Sequence, residues 1–246
     1  MRFIKFALPA GIVFLYLYLS YAGFYNTMKE LNLQSPNNEN FLTFENPGKS
    51  GSVKYVALGD SLSAGVGSDK VEETLVYQFA LNLSEEYGKV DTLNLALPGG
   101  TTEDVIKGQL PLTVNENPGY VTLLVGINDI HNKFTDGQFT ANYSYILNEL
   151  LTKTGAKIVV INLPYLGAPK AIRFPYNWML NSRTKEFNGK ISGVISKLEH
   201  NGRIRQVDLY GKTYKTFNKD SKNYAADLFH PSGRGYLVWS KIINEN

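Results

Sequence analysis

The chain has 246 residues, 43% of them apolar, enough to bury one sizeable core and to make an α/β domain of about 200 residues. No cysteine occurs, which excludes disulfides, thiolate catalysis and cysteine-based metal sites. The formal charge is +3, but apart from Arg2 and Lys5 the chain sets 23 Lys and Arg against 22 Asp and Glu without a basic cluster, so it offers no electrostatic footprint for nucleic acid.

Phe6 to Met28 carries no charge and follows Arg2 and Lys5. Its most apolar part, Phe6 to Leu19, has the length of a signal-peptide core, and Ser20-Tyr21-Ala22 spaces small residues for cleavage after Ala22. The whole uncharged run also reaches the roughly 20 residues that a spanning helix needs. Residues 1–28 are therefore expected to form an apolar helix that serves as signal peptide or membrane anchor, with the remainder exported. Residues 29–52 read as a linker, because Gln34-Ser35-Pro36-Asn37-Asn38-Glu39-Asn40 and Asn46-Pro47-Gly48-Lys49-Ser50-Gly51 have little to bury.

From Val53 to the end, strand-like and helix-like segments alternate, the pattern of a parallel sheet covered on both faces by helices. Five strands are predicted at Val53–Leu58, Thr92–Leu97, Tyr120–Ile127, Lys157–Leu163 and Arg203–Leu209, all short apolar runs. Between them, Val71, Leu75, Phe79, Leu83 and Tyr87 recur at helical spacing, and Thr101 to Asp104 has the form of a capping box ahead of Val105, Ile106 and Leu110. Two more stripes, Tyr143-Leu147-Leu150-Leu151 and Phe187-Ile191-Val194-Ile195-Leu198, predict core-facing helices, and a last helix is expected from Ser232 to Asn244.

Strands of a parallel sheet share one direction, so the loops after them gather at one edge. Gly59-Asp60-Ser61-Leu62-Ser63 follows the first strand, Gly99-Gly100-Thr101-Thr102 the second, Gly126-Ile127-Asn128-Asp129 the third, and Asp227-Leu228-Phe229-His230-Pro231 comes after the fifth. Together they hold the groups that acyl transfer requires: a hydroxyl, an imidazole with a carboxylate three residues away, and amide donors for an oxyanion. Each alone has a plain structural alternative, in which Asp60 and Ser61 cap a turn, Asp227 caps the last helix, and Asn128 makes an ordinary turn. A phosphate-binding loop fits poorly, since no Gly-Lys-Ser/Thr closes the Gly-rich segment. His131 ranks second as a base, and His200 stands in a polar turn expected to be solvated.

In order and composition, the four blocks resemble those of the SGNH/GDSL hydrolase superfamily over about Val53 to Asn246. That resemblance implies a flavodoxin-like three-layer α/β/α domain over 53–246 with a five-stranded parallel sheet, no metal or organic cofactor, and hydrolysis of esters or thioesters through an acyl-serine. It implies Ser61 as nucleophile, His230 as base and acid, Asp227 as its orienter, and Ser61, Gly99 and Asn128 as oxyanion donors. Pro98 departs from the small polar residue that the family more often has before the donor glycine.

The leading expectation is an exported, membrane-tethered lipase-type acylhydrolase acting on a small-molecule or lipid ester, and its oligomeric state is left open. An alternative keeps the mechanism but acts on O-acetylated surface polysaccharide. A third is a non-catalytic binding domain of the same fold. Segment Pro164 to Asn181, with Tyr165, Ile172, Phe174, Tyr176, Trp178 and Met179, bears on substrate: it can wall an acyl pocket, stack on sugars, touch a membrane or simply cover the sheet end.

Overall fold

The computed structural model describes residues 4–30, 34–36, 40–168 and 172–245. Its strands are β1 (Phe41–Glu45), β2 (Gly51–Gly59), β3 (Gly88–Asn94), β4 (Tyr120–Leu124), β5 (Lys157–Ile161) and β6 (Ile204–Val207). They lie in the order β1-β3-β2-β4-β5-β6, and all neighbours run parallel except β1, which is antiparallel to β3.

This corrects the expectation of five parallel strands. The sixth, β1, lies inside the stretch read as a linker. Phe41-Leu42-Thr43-Phe44-Glu45 alternates, and Phe44 is buried with its ring edge-on to Tyr77 at 4.8 Å. The polar residues around it hide that short period-2 pattern. Leu31 to Leu33 and Asn37 to Glu39 of the expected linker fall outside the described residues.

Period 2 also explains how the sheet holds two cores. Tyr55 and Ala57 of β2 face one layer, with Phe79, Leu83, Phe217, Trp239 and Ile243. Val56 and Leu58 face the other, with Val121, Leu123, Tyr143, Leu147, Phe187 and Ile191. The helices in chain order are α1 (Ile4–Glu30), α2 (Ser61–Ala64), α3 (Leu75–Tyr87), α4 (Thr102–Asp104), α5 (Leu110–Glu116), α6 (Ile127–His131), α7 (Asp136–Lys153), α8 (Tyr176–Ile195), α9 (Leu209–Lys219) and α10 (Gly233–Ile243). A π-helical turn, Val105–Gln109, joins α4 to α5.

Several boundaries differ from the sequence reading for local reasons. Thr74 caps α3 and sets Val71–Glu73 apart as a 3-10 turn, so the first acidic pair lies outside the helix. Gly88 ends α3 and begins β3 directly, which places that strand earlier than expected. Segment Pro164–Asn181 turns helical at Tyr176; its residues 169–171 are outside the described set. Helix α9 replaces an expected loop. His200 is half-buried rather than solvated, with Nδ1 shielded.

The N-terminal run lies within α1, but among the described residues no helix is long and apolar enough to cross a membrane. The expected anchor finds no support there.

Strand order fixes where a crevice can form. The chain steps from β2 to β3 on one side and then to β4 on the other, so the sheet has a switch point between β2 and β4, where a crevice opens at the carboxyl ends. Ser61 and Asn128 stand in the connections leaving those two strands.

Candidate active site

Ser61 begins α2, one residue beyond the Asp60 cap, whose carboxylate accepts from the Leu62 N–H at 3.0 Å. The chain reaches this turn through Gly59 at φ +153°, where an added Cβ would meet the Leu124 carbonyl at 2.3 Å, so no side chain fits. The buried Gln109 amide grips the same glycine from both sides: its Oε1 accepts from Gly59 N–H at 2.9 Å and its Nε2 donates to Gly59 O at 2.8 Å. Nothing in the sequence singles out Gln109. A glutamine beside an apolar helical stripe is ordinarily solvent-facing, and only its contact across 50 residues reveals the role.

Asp227 and His230 occupy a tight turn, not a helical one. Leu228 between them is in the left-handed region at φ +54°, a cost that surrounding contacts sustain. Ala225 N–H donates to His230 O and Ala168 N–H to Leu228 O, both at 2.8 Å. Asp227 is buried; Oδ1 accepts from the N–H groups of Phe229 and His230 at 2.9 Å each, leaving Oδ2 for the ring.

His230 Nδ1 lies 2.6 Å from Asp227 Oδ2, and His230 Nε2 lies 3.0 Å from Ser61 Oγ, across 169 residues of chain. Burial pushes the Asp227 carboxyl up, but the His230 ring and the two backbone N–H groups outweigh it and hold the carboxyl below the ordinary carboxylate range. An ionised Asp227 fixes the proton of a neutral ring on Nδ1 and leaves Nε2 to accept from the serine hydroxyl. The hydrogen bond to Ser61 belongs to His230; the second-ranked His131 instead packs its ring 5.8 Å from Phe229.

The two remaining residues come from adjacent loops. Gly99 is exposed, at φ +80°, in a turn closed by Gly100 N–H donating to Leu97 O at 2.8 Å. Asn128, half-buried at the start of α6, donates from Nδ2 to Gly100 O at 2.9 Å, which ties its amide to the glycine loop. Asp129 strengthens the tie: its buried carboxylate accepts from the N–H and the hydroxyl of Thr102, and Asn142 donates to that hydroxyl at 2.9 Å. The expected capping box is present: Asp104 accepts from Thr101 N–H at 2.8 Å, and Thr101 Oγ1 accepts in turn from Asp104 N–H.

A third buried carboxyl, that of Asp60, stands one residue before the serine. Burial pushes Asp60 up to about 7, against the bond from Leu62 N–H, with the negative charge of Asp129 adding to the rise. Its Oδ2 has no hydrogen-bond partner among the described residues. No group of His, Asp and Glu among the described residues has the arrangement of a metal site.

Known proteins resemble the chain in sequence profile and in fold. The sequence profile of the GDSL-like lipase/acylhydrolase family matches residues 57–238. No curated protein matches the chain significantly. Among solved structures, a lipase/acylhydrolase from Enterococcus faecalis is 26% identical, with a TM-score of 0.62 over 78% of this chain and 93% of that one. An acetylxylan esterase from Geobacillus stearothermophilus, 15% identical, gives a TM-score of 0.60 over 79% and 94%. An alpha/beta hydrolase enzyme from the metagenome of Lake Arreo, Spain, 16% identical, gives 0.57 over 78% and 91%. The last two likenesses are of fold.

Proposed function

The chain belongs to the GDSL-like lipase/acylhydrolase family and is by that membership an ester hydrolase; on that premise we propose that it cleaves carboxylic esters through an acyl-serine formed on Ser61. The observation that carries the reading is the unbroken relay from Ser61 Oγ through the His230 ring to Asp227, at 3.0 Å and 2.6 Å. A buried carboxylate, an imidazole and a hydroxyl in that line are the groups that nucleophilic acyl transfer uses, and family membership narrows that chemistry to esters.

In this mechanism the Ser61 oxygen attacks the ester carbonyl carbon while His230 Nε2 takes its proton, and Asp227 stays ionised to stabilise the imidazolium. The carbonyl oxygen becomes an oxyanion, met by the N–H groups of Ser61 and Gly99 and by the Asn128 amide. The C–O bond to the alcohol then breaks, and His230 returns its proton to the departing oxygen. Water, deprotonated by the same ring, attacks the acyl-serine; the bond from the acyl carbon to Ser61 Oγ breaks, the ring returns its proton to that oxygen, and the acid leaves. The tie from Asn128 to Gly100 supports the grouping of two of the three donors, because it sets the amide beside the loop that carries Gly99.

A fluorophosphonate probe tests this. It should modify Ser61, as mapped by peptide mass spectrometry, and Ser61→Ala should abolish both modification and p-nitrophenyl ester turnover. Turnover that survives in the variant removes the assignment. Export is a further part of the reading, supported by Arg2 and Lys5 ahead of the uncharged N-terminal run. A reporter fused at the C-terminus should be active only outside the cytoplasm, and cytoplasmic activity would refute export.

A further inference from the structure

A second cavity opens at the carboxyl edge of the sheet, beyond β5 and β6, away from the serine. It has about 190 Å³ and is enclosed by Tyr165 after β5, Trp178, Asn181 and Lys185 of α8, and Tyr210 and Tyr214 of α9. That is smaller than the roughly 300–1,000 Å³ of drug-sized pockets, so it suits one ring and not a chain of them.

The lining is unusual in its chemistry. Tyr210 and Tyr214 stack at 5.8 Å with 17° between their planes, and Tyr165 meets Tyr214 edge-on at 4.9 Å. Trp178 stands at the rim, 65% exposed and far above the norm for a large aromatic residue, while Tyr214 is 38% exposed. Lys185 Nζ hangs 5.7 Å over the Tyr210 ring. Two buried polar atoms of the wall, Asn181 Oδ1 and Tyr210 OH, have no partner among the described residues. Both are shielded from solvent.

We propose that this cavity is a binding site for one pyranose unit of a polysaccharide. A pyranose presents apolar C–H faces, which suit the Trp178 and Tyr214 rings, and equatorial hydroxyls, which suit the Lys185 ammonium in the lining. The position fits a long substrate: β6 is three strands from β2, so the cavity lies roughly 15 Å from Ser61 along the same edge, a span that a short oligosaccharide covers. The proposal rests on the ester-hydrolase reading only in calling the bound polymer a substrate; binding itself does not require turnover.

The test therefore uses full-length Ser61→Ala protein, in a non-glycosidic detergent, titrated with xylohexaose, cellohexaose and chitohexaose. Calorimetry gives affinity. Tryptophan emission reports on the site, because of the two tryptophans Trp239 is fully buried and Trp178 is the exposed one. At least one hexasaccharide should bind with a blue shift, and Trp178→Ala and Tyr214→Ala should each weaken it by about tenfold with the melting transition retained. Absence of binding by all three at about 10 mM overturns the site, as does binding that both variants leave intact. An emission shift produced by octanoate and by none of the sugars overturns it too. Failure of wild-type protein to turn over p-nitrophenyl acetate would count against the esterase and leave the sugar titrations to decide the site.

Discussion

The carboxylate of Asp227 does two jobs with its two oxygens, since Oδ1 is saturated by backbone N–H groups and Oδ2 alone faces the ring. Asp227→Asn separates these jobs. An asparagine oxygen can still take the backbone N–H bonds, but its amide then points a donor at Nδ1 and drives the imidazole proton to Nε2, where it can no longer accept from Ser61. Turnover of p-nitrophenyl acetate by the variant should fall by about 10³ to 10⁴, with KM nearly unchanged, because tautomer control is realised in the transition state. Steady-state kinetics decide it. A loss under tenfold would mean that Asp227 is a turn-former and that His230 is oriented by other means.

At the scale of elements, the nucleophile turn is held from outside by a helix that makes no chemistry of its own. The Gln109 amide satisfies both backbone groups of Gly59, and Gln109 lies in the π-helical turn between α4 and α5, which widens the helix at the point where the side chain reaches the strand. Gln109→Leu leaves the buried Gly59 N–H unpaired, so the variant should lose about 1–3 kcal/mol in urea unfolding and show lower turnover in a protein still folded at room temperature. Unchanged stability would show that the strand end needs no such clamp. This clamp also marks where sequence stops being legible. Ser61, Gly99, Asn128 and the Asp227–His230 pair are readable because each combines a chemically distinctive residue with a strand end or a turn, and topology does the rest. Gln109 and β1 are not, for the same reason: a polar side chain that pairs with backbone far away, and a five-residue strand whose partner is β3, declare themselves only through non-local contacts. Helix α9 shows a different failure, since Leu209, Tyr210, Thr213 and Phe217 do make a buried stripe, but one with tyrosine and threonine where a plainer helix would carry leucine.

For the whole molecule, Asp60 and Asp227, two of the site's three buried aspartates, pull stability against pH in opposite directions. Asp227 has a depressed folded-state pKa, so its contribution is present above the ordinary carboxylate range and is lost as acid titrates the folded protein. Asp60 is raised from 3.8 to about 7, so the folded state holds a proton that the unfolded chain gives up, and its contribution is full below about pH 4 and is lost as pH rises to about 7. Burial sets this rise, the Leu62 N–H opposes it, and the charge of Asp129 from α6 adds to it. Asp60→Asn keeps an oxygen for Leu62 N–H and removes the titration. Urea unfolding at a series of pH values should therefore show the variant gaining on the wild type between pH 4 and pH 7, by up to a few kcal/mol, with a constant difference above pH 8. A difference that is flat across the whole range would mean that Asp60 is ionised throughout, and that its charge is compensated by groups other than those that now surround it.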